Sequence, residues 1–469
     1  MSTNDKPTVL IVGAGLGGLM LGALLEKQSV PYTIFERAAT IKPLGSALAV
    51  GPVLLPIFEQ LGIYDEFVSI AKYSTQLNAF RESLEPYRPH DYKPIEEFAG
   101  YRQYIVARPM LHELFLKQIP PHKIHFGHRV LNITEEDNKA IIHLSNGQTF
   151  EGDIVVGADG AYSAVRQRMY EKLKAKGTLP KSDEEDLPFS CTCLVGQTKA
   201  LDPKDYPIVK EPQAQFYVVL GEDKPYTWIT FTTAQNTLCF MVIHHLSKAT
   251  NKGALEQRFR NNENAEWGAH PAQTMCDETR DFKIPTRVGM KTMGDLYDLT
   301  PKELISKVML EEKVFTTWHS GRSVLLGDAC HKLHPSGGHG AVTAIHDAIS
   351  LANFLYALPS KTTSQINTIF QDYQQERYPA VMESYNNSQT MSKIMEKGIV
   401  GTLALFLANH MPVWLMRLSL VKLVKFRPQA GFLKALDVRG SVTPFIPNSE
   451  KLARAVFDQQ QQQQRAESL

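Results

Sequence analysis

The stretch from residue 9 to residue 37 constrains the fold of this chain more than any other part of the sequence. It opens with a run of apolar, mostly β-branched residues, which is typical of a strand buried on both faces. Gly13, Gly15 and Gly18 follow at G-x-G-x-x-G spacing, and the next residues have helical composition. A second strand is predicted to end at Glu36, so the whole stretch reads as a βαβ unit.

Each part of this unit has a physical reason to be there. Gly13 permits a tight turn, Gly15 lets the backbone approach a pyrophosphate, and Gly18 allows close packing of helix on strand. The helix N-terminus supplies free N–H groups for phosphates. Glu36 is within reach of a ribose diol, and its charge would repel a 2′-phosphate. The stretch predicts a dinucleotide site, although it does not distinguish FAD from NAD, and plain glycine packing stays the alternative.

Length, charge and cysteine content bound the class of protein. A chain of 469 residues is long enough for two domains, or for one domain with a large insertion. The net charge of +1 indicates no nucleic-acid partner. The five cysteines include no C-x-x-C pair, which favours free thiols in a reducing compartment and argues against zinc. The short polar N-terminus leaves no room for a signal peptide, so we expect a cytoplasmic protein.

Two further stretches combine a short apolar strand, a glycine turn and a helix. In the first, residues 153–166, Asp159 lies between two turn glycines. In the second, Asp328 directly follows an apolar strand, where a carboxylate is costly unless it accepts hydrogen bonds. Gly337, Gly338 and Gly340 then offer bare backbone to a planar ring, before a helix that begins near Ala341.

Together these stretches, GAGLGG with Glu36, VGADGAYSAVR and RSVLLGDACHKLHPSGGHGAVTAIHDA, resemble the three signatures of the single-component (class A) FAD-dependent monooxygenases of the aromatic hydroxylase type. The narrower similarity is to fungal flavin monooxygenases of secondary metabolism, which oxidise terpenoid, indole-diterpene and polyketide intermediates. The resemblance places the second signature, which contains Asp159, near the FAD pyrophosphate and implicates it in nicotinamide binding. It implies cofactor contacts at ten positions. Carried over by position, these are Gly13, Gly15, Gly18, Glu36, Ala49, Arg108, Asp159, Asp328, Gly340 and Ala341.

Some of these positions keep a structural alternative, and Gly340 could belong to a plain loop-to-helix turn. Arg108 could serve as a surface salt-bridge partner, and Asp159 could serve as a turn aspartate. His331 and His334 are three residues apart, but no carboxylate or third ligand stands at fixed spacing, so we expect no metal site. His331 matches a recurrent histidine of the third signature.

The resemblance also implies the reaction. NADPH or NADH reduces FAD, reduced flavin and dioxygen form a flavin hydroperoxide, and one oxygen atom hydroxylates or epoxidises a small hydrophobic molecule. No second G-x-G-x-x-G unit is present, in agreement with that family. The main alternative is a flavin oxidase, dehydrogenase or reductase that inserts no oxygen. A flavin halogenase is disfavoured because W-x-W-x-I-P is missing, and intact Glu36 and Asp328 speak against a binding protein without flavin.

The substrate side is less defined by the sequence. Aromatic residues follow the predicted strands between residues 190 and 245, and Tyr217 among them is a candidate to orient or deprotonate a substrate, against an alternative of ordinary sheet packing. Some fungal relatives carry an arginine where this chain has Thr192. That departure favours a neutral, hydrophobic substrate.

We therefore predict an α/β fold with a Rossmann-type FAD-binding domain, an inserted, mostly antiparallel substrate domain and a helical C-terminal extension. The apolar segment at residues 399–426 is interrupted by polar residues, so it either covers the substrate domain or contacts an intracellular membrane peripherally. The predicted boundaries are 1–72, 101–175 and 285–395 for the FAD-binding domain, 73–100 and 176–284 for the substrate domain, 396–457 for the C-terminal helices, and 458–469 for a disordered, glutamine-rich tail.

Overall fold

The computed structural model describes residues 6–136, 138–246, 266–267, 269–286, 289–335, 338–395 and 399–467. The strands within those ranges are β1 (Val9–Val12), β2 (Tyr32–Glu36), β3 (Ala47–Val50), β4 (Lys72–Tyr73), β5 (Gln76–Arg81), β6 (His90–Asp91), β7 (Tyr104–Ala107), β8 (Ile124–Phe126), β9 (Val130–Glu136), β10 (Lys139–Leu144), β11 (Thr149–Gly152), β12 (Ile154–Gly157), β13 (Phe189–Gln197), β14 (Phe216–Leu220), β15 (Tyr226–Thr232), β16 (Leu238–His245), β17 (Glu266–Trp267), β18 (Ser306–Glu311), β19 (Lys313–Val314), β20 (His319–Ser320), β21 (Ser323–Leu325) and β22 (His331–Lys332).

The helices alternate with strands in the first part of the chain and dominate its last part. They are α1 (Leu16–Gln28), α2 (Leu55–Leu61), α3 (Tyr64–Ile70), α4 (Pro94–Ala99), α5 (Arg108–Leu116), α6 (Ala164–Ala175), α7 (Lys181–Glu184), α8 (Ala269–Thr279), α9 (Met293–Asp298), α10 (Gly340–Tyr356), α11 (Thr363–Met395), α12 (Ile399–Asn409), α13 (Val413–Val424) and α14 (Asn448–Glu467).

A six-stranded sheet forms the first layer, in the order β20-β21-β12-β1-β2-β8. Its strands run parallel except for β20, which pairs antiparallel with β21. Strands β1 and β12 lie at its centre and are buried along their whole length. Helices α1 and α6 pack on these strands, and the three-stranded antiparallel sheet β11-β10-β9 contacts them as well. Helix α1 is buried almost entirely and packs against α10.

An eight-stranded sheet forms the second layer, in the order β17-β18-β13-β16-β15-β14-β5-β6. Adjacent strands of this sheet pair antiparallel, except that β14 and β5 pair parallel. The alternation of side chains gives this sheet two apolar faces. The inner face packs against the small β3-β7-β4 sheet, and the outer face packs against α8 and α9. Residues of the inner face include Cys191, Cys193, Val218, Leu220, Ile229, Phe231, Cys239, Ile243 and Leu310.

Two expected boundaries differ from the structure. Residues 293–311, which we assign from the sequence to the FAD-binding domain, form α9 on the outer face and β18 within the eight-stranded sheet. The tail expected to be disordered is part of α14. Glutamine and alanine are good helix formers, and the hydroxyl of Tyr356 anchors the helix by donating to Gln460 Oε1 at 2.6 Å.

The C-terminal helices α12 and α13 pack on the rest of the molecule along one side each. Leu405 of α12 contacts the inner-face cluster, while Leu420 and Val424 of α13 contact Ile95 and Phe98. Among the described residues, no single helix has the length and apolar character needed to cross a membrane. One bent pair, residues 403–409 and 413–424 with an angle of 101° between them, meets that test together by length and composition.

Candidate functional site

Four segments highlighted by the sequence meet at one edge of the six-stranded sheet. Strands β1, β2, β12 and β21 run parallel, so their carboxyl ends lie side by side. Gly13, Glu36, Asp159 and Asp328 each stand at or just after one of those ends. Ligands of open α/β sheets bind in the crevice outside this edge, which makes it the candidate site.

The three loop glycines differ in what surrounds them. Gly13 has a φ of +106°, and a Cβ there would lie 2.4 Å from the carbonyl oxygen of Ala158. A Cβ on Gly18 would lie 2.1 Å from the carbonyl oxygen of Gly13. A Cβ on Gly15, in contrast, would meet no described atom within 4 Å. Gly13 and Gly18 are therefore needed by the turn itself, while Gly15 leaves open space at the start of α1.

Glu36 is tied to the same loop. Its Oε2 accepts a hydrogen bond from the backbone N–H of Ala14 at 2.9 Å, and its Oε1 accepts one from Ala38 at 2.8 Å. On the other side of the loop, Nε2 of the buried His112 lies 2.8 Å from the carbonyl oxygen of Ala14. Since each carboxylate oxygen can accept more than one hydrogen bond, Glu36 is held in place and keeps capacity for ribose hydroxyls.

Asp328 lies in a short turn after β21 and is half-buried. Its Oδ2 forms an ion pair with Nζ of Lys332 at 3.0 Å. Burial raises the pKa of Asp328, whereas the charge and hydrogen bond of Lys332 lower it, and the net shift is downward. The exposed Arg108, first residue of α5, adds to this lowering by its charge. Asp328 is therefore ionised and ready to accept hydrogen bonds from sugar hydroxyls, beside a lysine that the sequence reasoning missed.

A buried charge network fixes the turn that carries Asp328. Asp347 of α10 accepts hydrogen bonds through Oδ2 from the N–H of Gly327 at 3.0 Å and contacts Nε2 of His331 at 2.5 Å. Its Oδ1 accepts from Nε of Arg377 on α11 at 2.8 Å. Burial raises the pKa of Asp347, whereas His331 and Arg377 lower it by a larger amount, so the net pKa lies well below the ordinary value. Asp347 was not singled out from the sequence, although an acid within the otherwise apolar α10 is a signal for such a network.

Cys330, His331 and Asp347 also place potential metal ligands within 4.8 Å of one another. Arg377 already supplies a positive charge to Asp347 at hydrogen-bond distance, so a metal cation there would meet repulsion. The group is accounted for as an ion-pair network. His334, the other histidine considered as a ligand, lies apart from it, with Nε2 3.9 Å from Oε1 of Glu312.

Asp159 caps the helix that follows it. Its Oδ2 accepts from the backbone N–H groups of Ala164 at 2.6 Å and Val165 at 3.3 Å, at the start of α6. Burial raises the pKa of Asp159 despite these bonds. Its Oδ1 has no hydrogen-bond partner among the described residues. The geometry thus shows the turn-and-cap role and leaves one oxygen at the carboxyl edge for a ligand.

Arg166 joins the second and third sequence motifs. This buried side chain donates to the carbonyl oxygens of Ala161 at 2.6 Å and Ala329 at 2.7 Å, so it bridges the loops that carry Asp159 and Asp328. Its guanidinium also lies over the ring of Phe315, 4.1 Å from the ring centre. Two walls of the crevice are therefore held at a fixed separation by one side chain.

The start of α10 presents bare backbone. Gly338 has a φ of +65°, and neither it nor Gly340 would bring a Cβ within 4 Å of any described atom. Ala341 is half-buried in the first turn of this helix. Ala49 lies in β3, paired with Ile105 of β7, on the sheet that faces the inner face. Gly337 lies outside the described residues.

Tyr217 is placed away from these residues. Its strand neighbours Phe216 and Val218 point to the inner face, so Tyr217 points to the opposite side, where its ring packs edge-on against Phe80 at 5.6 Å. Its hydroxyl donates to Oε1 of Gln215 at 2.9 Å. The structure therefore does not bring the candidate catalytic residue to the crevice, because a one-residue step along a strand reverses the direction of the side chain.

The inner face carries a polar group at one end that the sequence reasoning did not single out. His245 lies beside the buried Cys191, with Nδ1 3.4 Å from its Sγ, and its Nε2 lies 3.0 Å from Oγ1 of Thr227. Burial, followed by the charge of His244, lowers the pKa of His245 to about 4. Thr192 lies one residue from Cys191, so it points to the outer face and not toward this group.

The residues of the crevice fit FAD as a group. Open space lies over Gly15 at a helix N-terminus, Glu36 is positioned for a ribose, and Asp328 is an ionised acceptor. Gly338 and Gly340 leave a flat backbone surface clear. A dinucleotide cofactor with a pyrophosphate, a polyhydroxy chain and a planar ring matches this set of features.

Comparison with known proteins agrees with this geometry. A family model described as "FAD binding domain" matches residues 6–388. The chain is 28% identical to FAD-dependent monooxygenase paxM of Penicillium paxilli over 409 residues, covering 84% of this chain and 80% of that protein. It is 26% identical to FAD-dependent monooxygenase atmM of Aspergillus flavus over 447 residues, covering 92% and 88%.

A solved structure gives the same fold at lower identity. Klebsiella pneumoniae HpxO complexed with FAD and uric acid superposes with a TM-score of 0.68 and 17% identity, covering 89% of this chain and 96% of that one. The fold is thus the mixed α/β, FAD-binding fold of the aromatic hydroxylase type. The chain belongs to the FAD binding domain family of flavoprotein oxidoreductases, in which its curated relatives are FAD-dependent monooxygenases.

Proposed function

We propose that this protein is an NADPH- or NADH-dependent monooxygenase that inserts one atom of dioxygen into a neutral, hydrophobic small molecule. The products would be hydroxylated or epoxidised aromatic, terpenoid or polyketide-type compounds of secondary metabolism. The names of the relatives support the monooxygenase class. The chemistry of the inner face supports the substrate class.

The observation that carries the proposal is the composition of the surface opposite the candidate cofactor residues. The inner face packs toward Ala47 and Ala107, which belong to the strands leading to Ala49 and Arg108. Its side chains are sulfur-containing, aliphatic and aromatic, with Cys193 and Phe231 among them. A site lined in this way gains free energy by removing apolar substrate surface from water, and it offers little to a charged substrate.

The polar group at the end of the inner face suits a neutral substrate. With its pKa lowered to about 4, His245 is uncharged near pH 7, and its two ring nitrogens already lie beside Cys191 and Thr227, so it offers no charge to a phenolate. Thr192 stands where some fungal relatives carry an arginine, and it points to the outer face. This position therefore supplies no positive charge that could assist deprotonation of a substrate. His245 therefore keeps this end of the inner face neutral.

When bound, FAD would supply hydride acceptance from the nicotinamide and activation of dioxygen. The chain itself binds and orients. Glu36 and the N–H groups at the start of α1 would hold the adenosine and pyrophosphate, and Asp328 would hold the polyhydroxy chain. Helix α10 begins at Gly340, so its N-terminal dipole would favour negative charge on the ring system. The apolar inner face would exclude water from the reacting side.

Incorporation of isotopically heavy dioxygen tests this proposal. The FAD-loaded protein is incubated under heavy dioxygen with NADPH or NADH and with a panel of terpenoid, phenolic and quinone compounds. The masses of the products are then measured by mass spectrometry. We expect one heavy oxygen atom in the product of at least one hydrophobic compound. A product oxidised without heavy oxygen would instead identify a flavin oxidase or dehydrogenase on the same fold.

A further inference from the structure

The two helices α12 and α13 expose more large apolar side chains than any other part of the described surface. On α12, Leu403, Phe406 and Leu407 recur at helical spacing and so share one side. Phe406 is 58% exposed. On α13, Trp414 is 67% exposed, and Leu418, one turn later, is exposed beside it. These outward sides of α12 and α13 together are called the apolar ledge.

The opposite sides of the same helices are anchored. Leu405 of α12 packs with the inner-face cluster, while Leu420 and Val424 of α13 are buried against α4. The loop between the helices is fixed as well, because Arg88 donates through its backbone N–H to Oδ1 of Asn409 at 2.7 Å. The ledge is therefore a surface held in one orientation by the protein body. Exposed apolar area of this extent marks an interaction surface.

Charge indicates what covers the ledge. Residues 399–436 contain no Asp or Glu, and they include Arg417, Lys422 and Lys425. Lys425 is exposed, whereas Arg417 and Lys422 form surface ion pairs with Glu97 and Glu383. Tryptophan beside aliphatic residues and basic side chains is the combination that settles at the boundary between lipid headgroups and acyl chains.

A cavity beside the ledge gives the same indication. It has a volume of about 610 Å³ and lies between the end of β14 and α12. Its lining includes the apolar Leu220, Met395, Leu405 and Phe406 and also the polar Arg81, Glu222 and His410. Leu220 belongs to the inner face, and Met395 and Leu405 pack against it. Phe406 belongs to the ledge. The cavity thus joins the exposed apolar surface to the wall that we assign to the substrate.

We propose that the apolar ledge docks on the surface of a lipid bilayer that contains anionic lipid. In the docked state the cavity behind α12 faces the lipid, so a hydrophobic substrate dissolved in the bilayer reaches the inner face without crossing water. The docking itself is independent of the proposed function, and the role given to the cavity rests on it.

The test is co-sedimentation of the full-length, FAD-loaded protein with vesicles. Vesicles of phosphatidylcholine with phosphatidylserine are compared with phosphatidylcholine alone, at low and high salt. We expect binding to both, stronger with phosphatidylserine and weakened by salt, because surface charge attraction is screened. A Phe406→Ser, Trp414→Ser double variant should lower the partition coefficient about tenfold or more, since two apolar side chains no longer insert.

Matched controls separate this effect from loss of structure. Leu131 and Val438 are 45% and 60% exposed outside α12 and α13, and a Leu131→Ser, Val438→Ser double variant should bind vesicles like the unchanged protein. Both double variants should keep their FAD content, since none of the four residues lies at the cofactor crevice. A Lys422→Gln, Lys425→Gln variant should lose only the preference for phosphatidylserine.

Two results would overturn the proposal. One is equal vesicle binding by the Phe406→Ser, Trp414→Ser variant and the unchanged protein. The other is no vesicle binding combined with a dimer, seen by analytical ultracentrifugation, that the same variant dissociates, because a second copy of the chain would then cover the ledge. Heavy-oxygen incorporation is measured without vesicles, so failure of docking and failure of the proposed function are read separately.

Discussion

At the scale of single residues, the glycines of the first loop divide by what a side chain would meet. Replacing Gly18 by valine forces a Cβ against the carbonyl oxygen of Gly13, and we expect a loss of about 1–3 kcal/mol or more in the free energy of unfolding. A Cβ at Gly15 would meet no described atom within 4 Å, and we expect the Gly15→Val apoprotein to stay within about 0.5 kcal/mol of its original stability.

The Gly15→Val protein should nevertheless lose FAD, because the new side chain fills the space over the start of α1. We expect affinity to fall about 100-fold, equivalent to about 2.8 kcal/mol. Fluorescence titration of FAD measures affinity, and urea unfolding of the apoprotein measures stability. Undiminished FAD affinity in Gly15→Val would show that the pyrophosphate does not lie over this glycine.

Tyr217 gives a second test at this scale. Because its ring packs on Phe80 away from the inner face, removing its hydroxyl should cost the hydrogen bond to Gln215, about 0.5–1.5 kcal/mol of stability. We expect the Tyr217→Phe enzyme to keep turnover within about twofold of the original, a change of about 0.4 kcal/mol in the activation barrier. A loss of turnover by several orders of magnitude, with FAD retained, would restore Tyr217 as a catalytic residue.

The sequence could indicate the type of residue but not always its direction. Glu36 and Asp328 are identified by their position after apolar strands, and the parallel register brings both to one edge. Tyr217 is an aromatic residue on an aromatic strand, and composition does not say which of two faces it occupies. Lys332 and His245 have no distinctive spacing, so only the folded chain brings them beside Asp328 and Cys191.

At the scale of elements, Asp347 couples three of them. Its carboxylate joins α10 to Gly327 in the turn after β21 and to Arg377 on α11. Replacing Asp347 by asparagine leaves the buried Arg377 without a counter-charge, and we expect a loss of about 3–5 kcal/mol in the free energy of unfolding. The turn that carries Asp328 should loosen too, so FAD affinity should fall although Asp347 does not touch the crevice.

A surface pair gives the control for this substitution. Asp298 pairs with Arg280 and both are largely exposed, so Asp298→Asn should cost less than about 1 kcal/mol. Urea unfolding of both apoproteins, followed by FAD titration, makes the comparison. Equal stability of the two variants would contradict the assignment of Asp347 as the residue that holds the third motif.

Element boundaries were predictable where the chain is periodic and less so where contacts are distant. The strands around the G-x-G-x-x-G loop follow from their apolar runs. The pairing of β18 with β13 joins residues over 100 positions apart, and nothing local near residue 306 indicates which sheet it joins. Similarly, the glutamine run reads as disordered by composition, but the contact of Gln460 with Tyr356 anchors it as a helix.

At the scale of the whole molecule, buried histidines predict a pH dependence of stability. Burial lowers the pKa of His245 and of His334 to about 4 and that of His346 to about 3, from an unfolded value of 6.5. Glu450 acts in the opposite sense, because burial raises its pKa to about 7, but the three histidines outweigh this one carboxyl group. Below pH 6.5 the unfolded chain binds protons that the folded chain refuses, so the free energy of unfolding should fall as pH drops from 6.5 to about 4. The depressed pKa of Asp347 adds a further loss below its unfolded value of 3.8.

Urea unfolding measured between pH 7.5 and pH 4.5 checks this dependence, and we expect the midpoint to fall as the pH is lowered. A His334→Gln variant should show a flatter decline than the original chain, because one of the buried histidines with a lowered pKa no longer titrates. A midpoint that stays constant over the whole range would contradict the burial of these neutral histidines.

In the function proposed above, the carboxyl edge of the six-stranded sheet holds an FAD that a nicotinamide reduces before oxygen insertion. Anaerobic mixing of the FAD-loaded protein with NADPH, and separately with NADH, tests it most directly, with flavin absorbance followed over time and with the hydrophobic compound panel present. We predict bleaching with at least one nicotinamide, accelerated by a compound that becomes oxygenated when air is admitted. Flavin that stays oxidised with both nicotinamides and every compound would contradict the claim.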